Sequence, residues 1–162
     1  MLRTVAEPAD AKANPPTGYT SKFSGPFTFA LALSGGGGLG LSIHDFTDAN
    51  AHDADLRALA ARVRCVPDPT CDEIFPNQLP AIARVRLADG SSREIRVLTN
   101  RGGHERPLTV DEHRVKFRDS ARQVLSESEM DTLDTLIADL PRASDVGPLI
   151  RACVPSHREG EV

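Results

Sequence analysis

Two alternating runs face each other across an Asp-Gly pair in the middle of this chain, and no other feature limits its folds as strongly. Ile82, Arg84 and Arg86 alternate with Ala83, Val85 and Leu87; Asp89-Gly90 follows, and Glu94 to Leu98 alternates again. A period of two on both sides of a Gly-containing turn specifies an antiparallel hairpin, with successive side chains on opposite faces. The pattern predicts one apolar face and one carrying Arg84, Arg86, Arg93 and Arg96. Such a face could meet an anionic ligand or partner. Glu94 and Asp89 stand ready to neutralise it, and the preferred reading is a solvated surface.

Helical signals flank the hairpin. Ser24-Gly25-Pro26 opens a helix, with Ser24 as N-cap and Pro26 in the first turn, where a missing N–H costs nothing. The helix continues through Phe27, Phe29, Ala30, Leu31 and Leu33, apolar nearly all round and therefore expected to be buried, and Gly35 to Gly38 stop it. Thr47 or Asp48 caps the approach to a second helix, about 53–62, whose Leu56, Leu59 and Ala60 share a face with Val63. Val63 to Val66 reads as a short strand broken by Pro67-Asp68-Pro69. Beyond the hairpin, Thr109 and Glu112 form a capping-box pattern before a stripe of Val115, Phe117, Ala121, Val124 and Leu125. Ser126 or Ser128 starts a helix bearing Met130, Leu133, Leu136, Ile137 and Leu140, ended by Pro141, and residues 145–153 form a last short helix. Residues 1–18, with Asn14-Pro15-Pro16-Thr17-Gly18, read as a flexible tail. Helices gathered around a hairpin, without alternating βαβ units, make the expected class α+β.

Composition narrows the function. A chain of 162 residues with 40% hydrophobic and 26% charged residues can bury its own core. Its net charge of -4 and lack of tryptophan argue against nucleic acid as a partner. The longest apolar run, Phe27 to Leu33, is too short to span a membrane, and residues 1–10 lack the layout of a secretory signal. Three cysteines, Cys65, Cys71 and Cys153, without framework spacing fit a reducing compartment, so a cytoplasmic location is expected.

The motifs that tempt a chemical reading lack their context. Gly35 to Gly40 follows a helix rather than a strand, and no Lys-Ser/Thr pair follows it, so it is a helix stop rather than a phosphate cradle. Cys65 and Cys71 lack the second close pair of a zinc site. His44, His52, His104, His113 and His157 form no i,i+4 pair, and there is no nucleophile elbow. His104 shares a loop with Arg101 and Arg106 that could hold a carboxylate, although a solvated loop is the preferred reading. The expectation is no metal, no cofactor and no complete catalytic set.

The segment Pro16-Thr17-Gly18-Tyr19-Thr20-Ser21-Lys22-Phe23-Ser24-Gly25-Pro26-Phe27 resembles the MmgE/PrpD family, in which an Ala/Ser-Lys-Phe-Ser-x-Pro-Tyr motif opens a buried helix. Collinear likenesses follow at Asp45-Phe46-Thr47, Leu56 to Ala60, Val63 to Asp68, Leu79-Pro80-Ala81 through Asp89-Gly90, Gly103 to Thr109 and Lys116-Phe117-Arg118. The resemblance covers about residues 14–153. It implies the C-terminal part of a cofactor-independent lyase of the kind that includes 2-methylcitrate dehydratase, cis-aconitate decarboxylase and iminodisuccinate epimerase. These enzymes move a proton beside a carboxylate, which calls for a base, an acid and cationic anchors.

By the same resemblance, 19–108 is an incomplete α+β lid-type domain, 109–154 are helices returning to a large helical domain, and 155–162 are a tail. The helical domain, which supplies most catalytic groups in the family, has no counterpart in these residues. The chain is then expected to be inactive alone, as a separately encoded subunit or the truncated product of a longer gene. A small carboxylate would bind only when a helical domain completes the site, and the macromolecular partner would be that subunit or a second copy. The substrate-binding candidates carried over are Lys22 and Ser24. Phe27 replaces the motif's tyrosine and removes a hydroxyl that could relay a proton. The alternative is a non-catalytic binding or oligomerisation module that keeps the lid fold.

Overall fold

The computed structural model describes residues 2–36 and 39–156. Gly37, Gly38 and His157 lie outside the described residues, as does most of the expected C-terminal tail. The chain forms two compact units, residues 1–109 and 110–162. It is α+β, with ten α-helices and a two-stranded antiparallel sheet among the described residues. No helix among them is long and apolar enough to cross a membrane.

The first unit opens with α1 (Leu2–Ala6) and α2 (Ala9–Ala13), where a flexible tail was expected. Neither helix carries an apolar stripe for periodicity to reveal. Polar contacts hold α2: the Lys12 ammonium donates to the Phe23 carbonyl at 2.7 Å, and the Lys12 carbonyl accepts from the Ser24 hydroxyl. Pro15 is fully buried, and its carbonyl accepts from Arg57 at 3.4 Å.

A single turn, α3 (Gly18–Ser21), follows, closed by a reciprocal Thr17–Thr20 capping box. Gly18 is required here by proximity. A Cβ at this position would sit 2.2 Å from the Phe46 carbonyl oxygen, and the Gly18 N–H donates to Asp48 at 2.7 Å.

Next comes α4 (Gly25–Ser34), with Ser24 as N-cap and Pro26 in the first turn, as the sequence predicts. Gly35 ends it at φ 152°, a conformation that suits glycine. Its Phe27, Ala30 and Leu31 form the core with Leu56 and Ala60. The expectation of all-round burial fails at Leu33, in the last turn of α4, which is half exposed. The stretch read as a loop after Thr47 is itself a short helix, α5 (Asp48–His52), capped by Thr47, and the predicted second helix follows as α6 (Ala54–Ala60), capped by Asp53.

Val63–Val66 forms no strand. A strand needs a ladder partner, and none is offered there. The Pro67-Asp68-Pro69 break is instead a helix start, because Asp68 accepts from the Thr70 and Cys71 N–H groups and Pro69 opens α7 (Pro69–Ile74).

The hairpin pairs β1 (Ala81–Arg86) with β2 (Ser92–Val97) in the register Ala83↔Ile95 and Val85↔Arg93. Paired residues share a face. Arg93 therefore lies with Val85 and Ile95, and the predicted arginine face holds only Arg84, Arg86 and Arg96.

The second unit is helical. It consists of α8 (Val110–Ala121), α9 (Glu127–Asp139), a 3-10 turn at Leu140–Arg142, and α10 (Gly147–Ala152). Ser126 caps α9 through a capping box with Glu129. Leu125, Met130 and Leu133 are its core, joined by Phe117, Ala121, Leu149 and Ala152. Val115, Val124 and Ile137, expected on apolar stripes, are about half exposed. Arg118 reaches Glu127, Asp131 and Asp134, which ties α8 to α9.

Candidate functional site

The turn from α3 into α4 carries both sequence-predicted site residues and sends them to different environments. Lys22 follows the last residue of α3 and is exposed. Tyr19 stands three residues before Lys22 and four before Phe23, the spacings that bring side chains together on a helical turn. The Lys22 ammonium lies 5.7 Å from the centre of the Tyr19 ring, within cation–π range. Tyr19 and Phe23 meet edge to face at 5.6 Å and are 68% and 47% exposed. An ammonium beside two uncovered rings can anchor a carboxylate while the rings take an apolar neighbour.

Ser24 points inward. Its residue is 1% exposed; its oxygen accepts from the Phe27 N–H at 2.9 Å and its hydroxyl donates to the Lys12 carbonyl. That hydroxyl has no proton left for a ligand while the cap is intact. Phe27 is fully buried in the core, so the ring at the motif's tyrosine position serves packing.

Sequence reasoning missed Lys12 as part of this turn. Through its ammonium and its carbonyl it clasps the chain at Phe23 and Ser24. The only signal available was that Lys12 and Lys22 are two of the three lysines in the chain.

The other candidates stay apart from this turn. His104 lies in an exposed loop, 3.7 Å from Glu105, and the loop is closed by the Gly102 N–H donating to the Arg106 carbonyl at 2.8 Å. Asn100 fixes the base of that loop by accepting from the Leu79 N–H at 3.1 Å. On the hairpin, Glu94 accepts from Arg84 at 2.5 Å and Arg96 at 2.6 Å. The bonds from Arg96 first and Arg84 next hold the Glu94 carboxyl below its ordinary range, and the Arg96 guanidinium is pushed up in return. Cys65, Cys71 and Cys153 are free thiols, and burial pushes the Cys65 thiol up. Among the described residues no group of three or more His, Cys, Asp or Glu side chains gathers where a metal could sit.

This is an α+β domain whose signature turn buries a capping serine and leaves a lysine uncovered. The model of the MmgE/PrpD C-terminal domain matches residues 2–141, and the chain belongs to that family. No curated protein matches the chain. The match takes in α1 and α2.

Proposed function

We propose that this chain is the C-terminal portion of an MmgE/PrpD-type lyase acting on small di- or tricarboxylates by dehydration, decarboxylation or epimerisation. We further propose that it has no turnover by itself. The observation that carries the reading is the family match over residues 2–141, with its signature turn present as Lys22-Phe23-Ser24. In this reading Lys22 is a cationic anchor at the rim of the site, and Ser24 positions the turn that presents it. The groups that move the proton come from a helical domain, supplied by a longer chain or by a partner subunit. Residues 19–108 are the lid-type part and 109–154 the helices that return to that domain. The location is cytoplasmic, in keeping with the scattered cysteines.

The direct test offers 2-methylcitrate, cis-aconitate and iminodisuccinate to the purified 162-residue chain. No turnover is expected. A stoichiometric helical protein should come down with the tagged chain from its native host and confer activity that falls on Lys22→Ala. Clear turnover by the chain alone, lost on Lys22→Ala, would overturn the proposal.

One observation favours a second reading, a non-catalytic binding or oligomerisation module. Two motif positions, Ser24 and Phe27, are wholly used as cap and core. A chain that comes down without a helical partner would support that reading.

A further inference from the structure

A series of contacts leads from α2 to Lys22. The half-buried Lys12 donates its ammonium to the Phe23 carbonyl at 2.7 Å. The Phe23 ring meets Tyr19 edge to face at 5.6 Å, and the Lys22 ammonium lies over the Tyr19 ring, 5.7 Å from its centre. A lysine side chain has large rotamer freedom, so an ammonium stays in one place only against a wall that is itself fixed. Tyr19 is that wall, and Phe23 backs it. The turn is held at both ends: Asp48 accepts from the Gly18 N–H at 2.7 Å in front, and Lys12 holds Phe23 behind. A hydrogen bond from an ammonium is stronger than a neutral one, and on a carbonyl it fixes a whole planar peptide.

We propose that Lys12 is a positioning residue for Lys22: its ammonium fixes the Phe23 peptide and, through Phe23 and Tyr19, the place of the Lys22 ammonium. The inference rests on the reading of Lys22 as a cationic anchor and adds what holds the anchor still. An ammonium already in place meets a carboxylate without the entropy loss of being ordered on arrival. The bond to Ser24 does not carry this effect. It is accepted by the Lys12 backbone carbonyl, which every residue type has, so it survives replacement of the Lys12 side chain. The two grips of Lys12 are therefore separable. The side chain acts on Phe23, and the backbone acts on Ser24 and the cap of α4.

The test is nuclear magnetic resonance of the full chain with lysine isotope-labelled at the ε carbon. Its three lysines, Lys12, Lys22 and Lys116, give three signals. Lys22→Arg identifies the Lys22 signal. The Tyr19 ring should hold that signal upfield, and Tyr19→Leu marks where it falls with no ring beside it. In Lys12→Met the signal should move most of the way to that mark, while the Lys116 signal and the circular dichroism stay unchanged. Lys12→Arg, whose guanidinium can still donate to the Phe23 carbonyl, should keep the wild-type position. A wild-type Lys22 signal with no ring shift, one that keeps its shift in Lys12→Met, or one that loses it equally in Lys12→Arg would each refute the positioning role. The anchor reading fails by a different result, an activity of the completed enzyme untouched by Lys22→Ala, which leaves these shifts as they are.

Discussion

Ser24→Ala separates a structural hydroxyl from a substrate contact. The substitution removes an N-cap that accepts from the Phe27 N–H, a loss of about 1 kcal/mol. It also strips the Lys12 carbonyl of its donor in a part-buried position, a further loss of about 1 kcal/mol. The expected sum is about 2 kcal/mol, a large share of a typical domain's total of about 5–15 kcal/mol. At about 4–8 °C per kcal/mol the melting point should fall by about 8 °C or more. The assay can be confined to the first unit. Tyr19 is the only tyrosine and there is no tryptophan, so its fluorescence in a urea titration follows residues 1–109 alone. Hydrogen exchange at the Phe27 amide should accelerate in the same variant. Lys22→Ala, at an exposed position, should stay within about 0.5 kcal/mol of wild type. If Ser24→Ala costs no more than Lys22→Ala, the cap assignment is wrong and the hydroxyl is free for another role.

Gly18→Ala should cost at least about 2 kcal/mol, read in the same titration, because its Cβ would collide with the Phe46 carbonyl and part α3 from Asp48. Phe27→Tyr, which restores the family's hydroxyl, should lower stability by about 1–3 kcal/mol, since the ring is fully buried among apolar side chains; an unchanged melting point would mean the hydroxyl finds a partner or water. Glu129 is held from the ordinary 4.5 down to about 2 by the Ser156 hydroxyl, then the Ser126 N–H and hydroxyl, then the Ser156 N–H. Its folded value is depressed, so its contribution is whole above the unfolded value and is lost as pH falls from about 4.5 toward about 2. The Ser156 amide signal should titrate in that window, and Glu129→Gln should remove the step; a midpoint near 4.5 would show that these bonds do not hold the carboxylate.

What the sequence disclosed depended on length and on local chemistry. The hairpin was legible because a period of two and a Gly-containing turn are both local signals. Its arginine face was only partly so: period two sets Arg93 and Arg96 on opposite faces in any register, and the register then decides which of them joins Arg84. The cap at Ser24 was readable from residue type, and the structure chooses Thr47 over Asp48 and Ser126 over Ser128, each accepting a backbone N–H. The short helices α1, α2 and α7 were not, because five or six residues show little periodicity, although the equally short α10 was expected. At α7 the signal is present in the residue types: an Asp followed by Pro is an N-cap and first-turn pair, although prolines alone read as breakers.

The candidate site marks a sharper boundary. Lys22 and Ser24 stand two residues apart in one motif, and a likeness of sequence carries both over with equal weight. The turn between α3 and α4 divides them: the lysine faces outward beside Tyr19 and Phe23, while the serine turns in to hold α2 against α4. A hydroxyl already giving its proton to a backbone carbonyl can touch a substrate only by breaking the cap that makes the turn, whereas an exposed ammonium needs no rearrangement. Of the two, Lys22 is therefore the residue whose replacement should reduce substrate affinity in the completed enzyme without altering the fold. Ser24 should act on both at once, and the ratio of the two effects distinguishes an anchor from a scaffold.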